Sequence, residues 1–227
     1  MKPTQIPPHS SLFTEFLFYI DQRKYIILLA SFLVLIFGNT FTEDYQIFGI
    51  VNIYQNLLTG LLVFYNKKRL RHIIMSIILV SVALDLFAGN FSFIQGKSWH
   101  GILYLIFFFL VVKEVSIEVL YVKTVSAEML SAALCGFVLL CQIGTFLFYL
   151  IDIYSPHSFS NTGEGKNVLV NLNYFSFTTL LTIGFGDIAP LSLIAKRAVM
   201  FIGLLGHFYT VFVTGIIIGK YLTANRS

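Results

Sequence analysis

The chain has 227 residues, 57% of them hydrophobic and only 11% charged, with a mean hydropathy of +0.82. A soluble domain carries about a quarter charged residues, so this composition excludes a protein that shows water a polar face on every side. The net charge of +4 does not indicate nucleic-acid binding, because the bases sit in short clusters between apolar spans, where membrane topology is encoded.

Residues 1–11 are polar and no small-residue cleavage pattern follows, so no cleavable signal peptide is expected. Phe13, Phe16, Leu17 and Ile20 then recur at helical spacing, with Glu15 and Gln22 on other faces. That suits a short helix lying in the headgroup region, although a flexible tail fits as well.

Six apolar spans follow, over residues 25–41, 47–65, 73–94, 99–112, 129–151 and 197–222. Several approach the ~20 residues needed to cross the hydrocarbon layer as a helix. With the amino terminus inside, eleven bases fall on the inner side, among them Arg23, Lys24, the cluster Lys67, Lys68, Arg69 and Arg71, Lys113 and Lys220. Only Lys97, Lys166, Lys196 and Arg197 fall outside. This asymmetry predicts an even number of spans with both termini cytoplasmic. Cys135 and Cys141 lie in one span; six residues of helix separate them by ~9 Å, too far for a disulfide.

The connection between the last two spans, residues 152–195, breaks the pattern. It begins polar, turns apolar over 168–183, too short to span, and ends in Gly184-Phe185-Gly186-Asp187. This predicts a re-entrant helix followed by extended backbone, which is tolerated at membrane depth only beside protein or a water-filled path. Backbone carbonyls there can replace the hydration oxygens of a cation without introducing a full charge. For successive carbonyls to face one axis the chain must alternate in handedness, and Gly184 and Gly186 take the left-handed conformation at no steric cost. Ile183 and Phe185 are expected to point away, and Thr182 to add its hydroxyl at the inner end.

The run Thr179-Leu180-Leu181-Thr182-Ile183-Gly184-Phe185-Gly186-Asp187, between two spans, resembles the potassium-channel pore family. The resemblance covers roughly residues 129–222. It implies a filter at Thr182, Ile183, Gly184, Phe185 and Gly186, with potassium held at Thr182, Ile183, Gly184 and Phe185. It also implies an aromatic cuff at Tyr174 and Phe175, support from Thr179, and a ring of Asp187 carboxylates at the outer mouth. Tyr174 is a possible donor to Asp187, with simple packing as the other reading. Most filters of the family carry tyrosine where this chain has Phe185, so the hydroxyl that ties the filter to the cuff is missing.

On the last span, Gly203 and Gly206 sit mid-helix, and Gly206 falls where the family's hinge glycine lies relative to the filter. Close helix packing through small residues accounts for them equally. His207, Thr210 and Thr214 follow at spacings of three and four and share one face. That polar stripe suits a water-filled cavity; a place for His207 behind the filter, bonded to the fifth span, is the other reading.

Six spans with such a segment before the last resemble the voltage-gated architecture. The fourth span nevertheless has no arginines at every third residue, and Lys113 sits at its expected inner end. One charge crossing the field yields ~2.3 kcal/mol per 100 mV, against the tens needed for steep gating, so this is no conventional voltage sensor. Asp85 in the third span is expected near the depth of Gln55 and Asn56 in the second, as a hydrogen-bonded structural carboxylate or one hydrated from outside.

The expectation is therefore an all-α integral membrane protein of six transmembrane helices, with a re-entrant pore helix and selectivity filter between the fifth and sixth. Residues 1–24 form a cytoplasmic or interfacial segment, 25–126 a four-helix domain, and 127–227 the pore domain. Its function is that of a potassium-selective channel subunit in a homotetramer, multi-pass in the plasma membrane, with potassium as permeant ion, no other cofactor and no nucleic-acid partner. The alternatives are a weakly selective or nonselective cation channel and a non-conducting regulatory subunit. No enzyme constellation is present: the five histidines are scattered without metal-type spacing. Five residues after 222 leave no room for a ligand-binding gating domain, so neither the gating stimulus nor a separate gating subunit is legible.

Overall fold

The computed structural model describes residues 18–38, 45–87, 96–122, 125–163 and 167–224. Among them seven helices succeed one another: α1 (Lys24–Phe37), α2 (Tyr45–Val63), α3 (Lys68–Phe87), α4 (Gly96–Tyr121), α5 (Ala127–Tyr154), α6 (Asn167–Leu180) and α7 (Leu193–Ala224). Residues 18–22, at the end of the expected interfacial helix, are helical; Phe13, Phe16 and Leu17 lie outside the described residues. The chain is all-helical, and α5 and α7 are its two candidate membrane-spanning helices among the described residues.

Two boundaries differ from expectation. The fourth helix does not stop at Lys113 but runs on to Tyr121, because Glu114 and Glu118, good helix formers, find cationic partners. Glu114 pairs with Lys67 and Glu118 with Lys24, the latter at 3.3 Å. The third helix begins at Lys68 rather than 73, since lysine and arginine carry the helix through the basic cluster. The expected ends of the first and third spans, 39–41 and 88–94, fall outside the described residues.

α5 is the spine. Its first turn is capped by Ser126, whose hydroxyl accepts from the Met129 amide at 3.2 Å, a partner for one otherwise orphaned helix-end donor. α4 lies along α5, α1 packs on both α2 and α5, and α6 and α7 lean on α5 from the other side. Aromatic rings bind the first group: Phe32 of α1 meets Phe108 of α4 at 6.2 Å, and Phe108 meets Phe146 of α5 at 5.6 Å. The first-turn amide of Tyr25 in α1 donates to Glu128 of α5 at 2.6 Å, so the start of α1 is fixed to the start of α5.

Polar side chains of α1 and α2 pair with one another inside this group. Ser31 of α1 donates to Asn56 Oδ1 at 3.0 Å and accepts from Gln55 Nε2 at 3.0 Å. The partner of the Gln55–Asn56 pair is thus a serine of the first helix. Asp85 lies in α3, and its side chain is outside the described residues. Both cysteines are free and buried; Cys135 donates to the Tyr25 carbonyl at 3.3 Å.

α7 is different. It runs 32 residues, about 48 Å of rise, yet Phe201, Phe208 and Phe212 are each more than half exposed. Near its C-terminal end Lys220 Nζ donates to the carbonyls of Val119 at 2.6 Å and Leu120 at 3.0 Å, the last turn of α4.

Candidate functional site

The site is the descent from α6 into the segment that follows it. α6 is 14 residues long, about 21 Å. It is moored by Ser176, which donates to the Cys141 carbonyl of α5 at 2.7 Å. Phe175 lies in a buried ring cluster with Phe148 of α5 and Phe159 of the loop after α5, at 5.5 and 5.8 Å. Tyr174, the neighbouring aromatic, faces the other way and stacks on Phe185, the two rings 6.5 Å apart and within 5° of parallel. Its hydroxyl lies within electrostatic reach of the Asp187 carboxylate.

The end of α6 is shaped by Thr182. The Thr182 amide donates to the Thr179 carbonyl at 3.1 Å and the Ile183 amide to the Thr178 carbonyl at 2.9 Å. These two bonds close a Schellman motif, whose left-handed residue is usually glycine. Here that residue is Thr182, with φ +58°. A β-branched residue in this region is strained by roughly 1–3 kcal/mol. The strain has a geometric return: Thr182 turns the chain out of the helix and starts an alternation.

That alternation is regular. Thr182, Gly184 and Gly186 have φ of +58°, +59° and +79°, while Ile183 and Phe185 between them have negative φ. Adding a Cβ at Gly184 or Gly186 meets no atom within 4 Å, so glycine is required there by backbone conformation rather than by crowding. Thr182 through Asp187 are all exposed on the single chain, Ile183 at 49% and Phe185 at 70%. Among the described residues of the single chain, nothing covers this segment from its exposed side.

The outer end of the segment is held by the loop after α5. Asn161, itself at φ +53°, donates through Nδ2 to the Asp187 carbonyl at 2.7 Å. Ser160 and Ala189 exchange bonds: the Ser160 amide donates to the Ala189 carbonyl, and the Ala189 amide to the Ser160 hydroxyl, both at 2.9 Å. The Leu191 amide donates to the Ser158 carbonyl at 2.8 Å, and Phe159 bridges to Pro190. This pairing was not anticipated from the sequence; the only local signal is the polar run Ser158, Ser160 and Asn161.

α7 backs the site. A Cβ on Gly206 would lie 3.0 Å from two Leu180 side-chain carbons, so a larger residue there would crowd the end of α6. The helix is continuous through it. Gly203 faces Thr179 at ordinary contact distance. His207, Thr210 and Thr214 are exposed on the single chain, and the Thr210 hydroxyl donates back to the Gly206 carbonyl at 3.0 Å. Tyr209, absent from the expectations, donates to the Ala133 carbonyl of α5 at 2.7 Å. Its hydroxyl occupies the space a Cβ on Gly136 would need. A glycine in an apolar span facing a tyrosine two helices later was the available signal.

A helix ending in a left-handed turn, an alternating glycine segment and two long apolar helices around them define an ion-channel pore. Residues 135–223 match the Ion_trans_2 family, described as an ion channel. The chain is also 37% identical over 89 residues to the voltage-gated delayed rectifier potassium channel KCNH1 of Rattus norvegicus, and equally to that of Homo sapiens. The match takes in 34% of this chain and 9% of each relative. The chain thus matches only about a tenth of the length of these curated relatives. Residues 135–223 are similar to an ion-channel family, and part of the chain is similar to a short stretch of a potassium channel. No solved structure matches the chain significantly.

Proposed function

We propose that the chain is a subunit of a potassium-selective channel, four copies of which surround one pore. The observation that carries this reading is the alternation of φ at Thr182, Gly184 and Gly186. It turns consecutive carbonyls toward one side of the strand, as rings of cation-coordinating carbonyls require. The C-terminal end of α6, with its partial negative charge, leads into the same segment and favours a cation there.

One strand contributes one quarter of each carbonyl ring, so the filter is complete only with neighbours. The exposure of Ile183 and Phe185 and the bare apolar length of α7 support that requirement. In this arrangement α6 is the re-entrant pore helix, α5 and α7 are the outer and inner helices of the pore, and α1 to α4 are four further spans outside it. The amino and carboxyl ends face the cytoplasm of a plasma-membrane channel, in keeping with the distribution of bases. Potassium passes by knock-on between carbonyl sites from Thr182 to Phe185. Asp187 rings the outer mouth, while His207, Thr210 and Thr214 face the inner cavity.

The test is flux into liposomes containing the purified protein, with potassium and sodium compared. Potassium flux well in excess of sodium flux is expected. Equal flux of the two ions replaces this reading with a nonselective cation channel, for which the missing hydroxyl at Phe185 is the physical reason.

A further inference from the structure

Where the turn between α2 and α3 meets α4 lies a recess of about 480 Å³. Four bases line it: Lys67, Lys68 and Arg69 from the turn and the start of α3, and Lys113 from α4. Its one acid is Glu114, and Lys67 already engages that carboxylate. Four positive charges against one negative leave the lining at +3. The ion pairs among the described residues use Lys24 and Lys67. Lys68, Arg69 and Lys113, all exposed, therefore have no carboxylate partner there. Arg71 of the same basic cluster donates instead to the Tyr65 carbonyl at 3.1 Å. Membrane topology accounts for bases in this turn, but it does not require Lys113 to converge on them from another helix. α3 starts at Lys68, so the positive end of its dipole adds to the same field.

The rest of the lining is apolar: Leu70 and Ile73 of α3 and Leu110 of α4. Ile73 is four residues beyond Arg69 and Leu110 three before Lys113, so the apolar part lies ~5 Å further along both helices. Val80, seven residues after Ile73, and Ile106, four before Leu110, continue those two faces and are 47% and 45% exposed. The recess thus passes from a basic rim to bare apolar helix. A soluble anion would use the rim alone, whereas an amphiphile uses both parts. A headgroup of single charge leaves most of the +3 uncompensated; a phosphate monoester brings up to two charges and three acceptor oxygens. We infer that this recess binds a phospholipid whose headgroup is a phosphate monoester. Lys68, Arg69 and Lys113 hold its oxygens through charge-assisted hydrogen bonds, and an acyl chain lies along Ile73 and Ile106. Basic recesses between membrane helices suit such headgroups in general. This inference rests on the proposed placement of α3 and α4 as membrane spans, and its test does not depend on conduction.

Phosphatidic acid is the probe. The full chain, purified in phosphatidylcholine nanodiscs, is titrated with it and bound lipid is counted by native mass spectrometry. Saturable binding over the phosphatidylcholine background is expected. Arg69→Gln and Lys113→Gln should each raise the half-saturating lipid fraction about fivefold, and the two together about thirtyfold; Lys113→Arg should bind as wild type does. Lys196→Gln, on an exposed residue in the first turn of α7, removes the same charge elsewhere and should change nothing. Excess soluble glycerol 3-phosphate should displace little of the lipid. Equal losses with Lys196→Gln and Lys113→Gln overturn the proposal, as does binding unmoved by both recess variants. Full displacement by glycerol 3-phosphate overturns it too, because the ligand is then a soluble phosphate. Lipid binding by a protein that passes no potassium supports this site and overturns the channel reading alone; potassium flux without saturable lipid binding does the reverse.

Discussion

Consider Gly186→Ala. The position has φ +79° and open space where the Cβ would go, so the substitution adds no clash within the chain and acts through backbone conformation alone. An L-residue in the left-handed region costs about 1–2 kcal/mol. If four strands must adopt the conformation together, the total is about 4–8 kcal/mol, three to six decades in the population of the intact filter. Potassium flux into liposomes should therefore fall below detection, while membrane insertion and oligomer size stay unchanged. A graded version is more informative: assemblies with one mutant subunit in four should lose only about five- to thirtyfold. Full conduction by the all-alanine assembly, or the same loss with one mutant copy as with four, would refute the alternating-backbone argument.

Other outcomes follow from the same geometry. With no basic residue on α4 between His100 and Val112, open probability should change little between strongly negative and positive potentials; a conductance–voltage curve moving several charges per channel would contradict this. Asp187→Asn should lower conductance most at low salt, where screening is weak, and single-channel recordings across salt concentrations measure it. Asn161→Ala removes the donor to the Asp187 carbonyl and should speed the decay of potassium current during sustained opening; decay as slow as wild type would mean the bond is absent in the assembly.

The sequence carried the positions of α5, α6 and α7 because hydrophobic length and glycine spacing are local signals. It also carried the left-handed conformation of Gly184 and Gly186. It did not reveal that of Thr182, because nothing about a threonine announces positive φ. That conformation follows from how α6 ends, through amides that reach back to Thr178 and Thr179. The opposite directions of Tyr174 and Phe175 were hidden for a related reason: adjacent aromatics on a helix diverge by about 100°. The composition of one such pair does not say which ring meets the core. The extension of α4 past Lys113 was illegible because Glu114 and Glu118 resemble an interfacial boundary until Lys67 and Lys24 are placed beside them. The pairing of residues 158–161 with 187–191 joins segments some thirty residues apart, and short polar runs carry no trace of such a partnership.

The contact between Lys220 and the last carbonyls of α4 constrains how such a pore opens. Those carbonyls lack partners within their own helix, and the ammonium satisfies two of them while meeting the negative end of the helix dipole. Lys220 lies on the C-terminal end of the same helix whose Gly206 rests against Leu180, close to the start of the filter strand. Splaying α7 outward at its base must therefore either sever this latch or drag the base of α4 along. In the arrangement proposed above, an intact latch would make α4 and the helices packed with it a brake on α7 even without the charges that sense voltage.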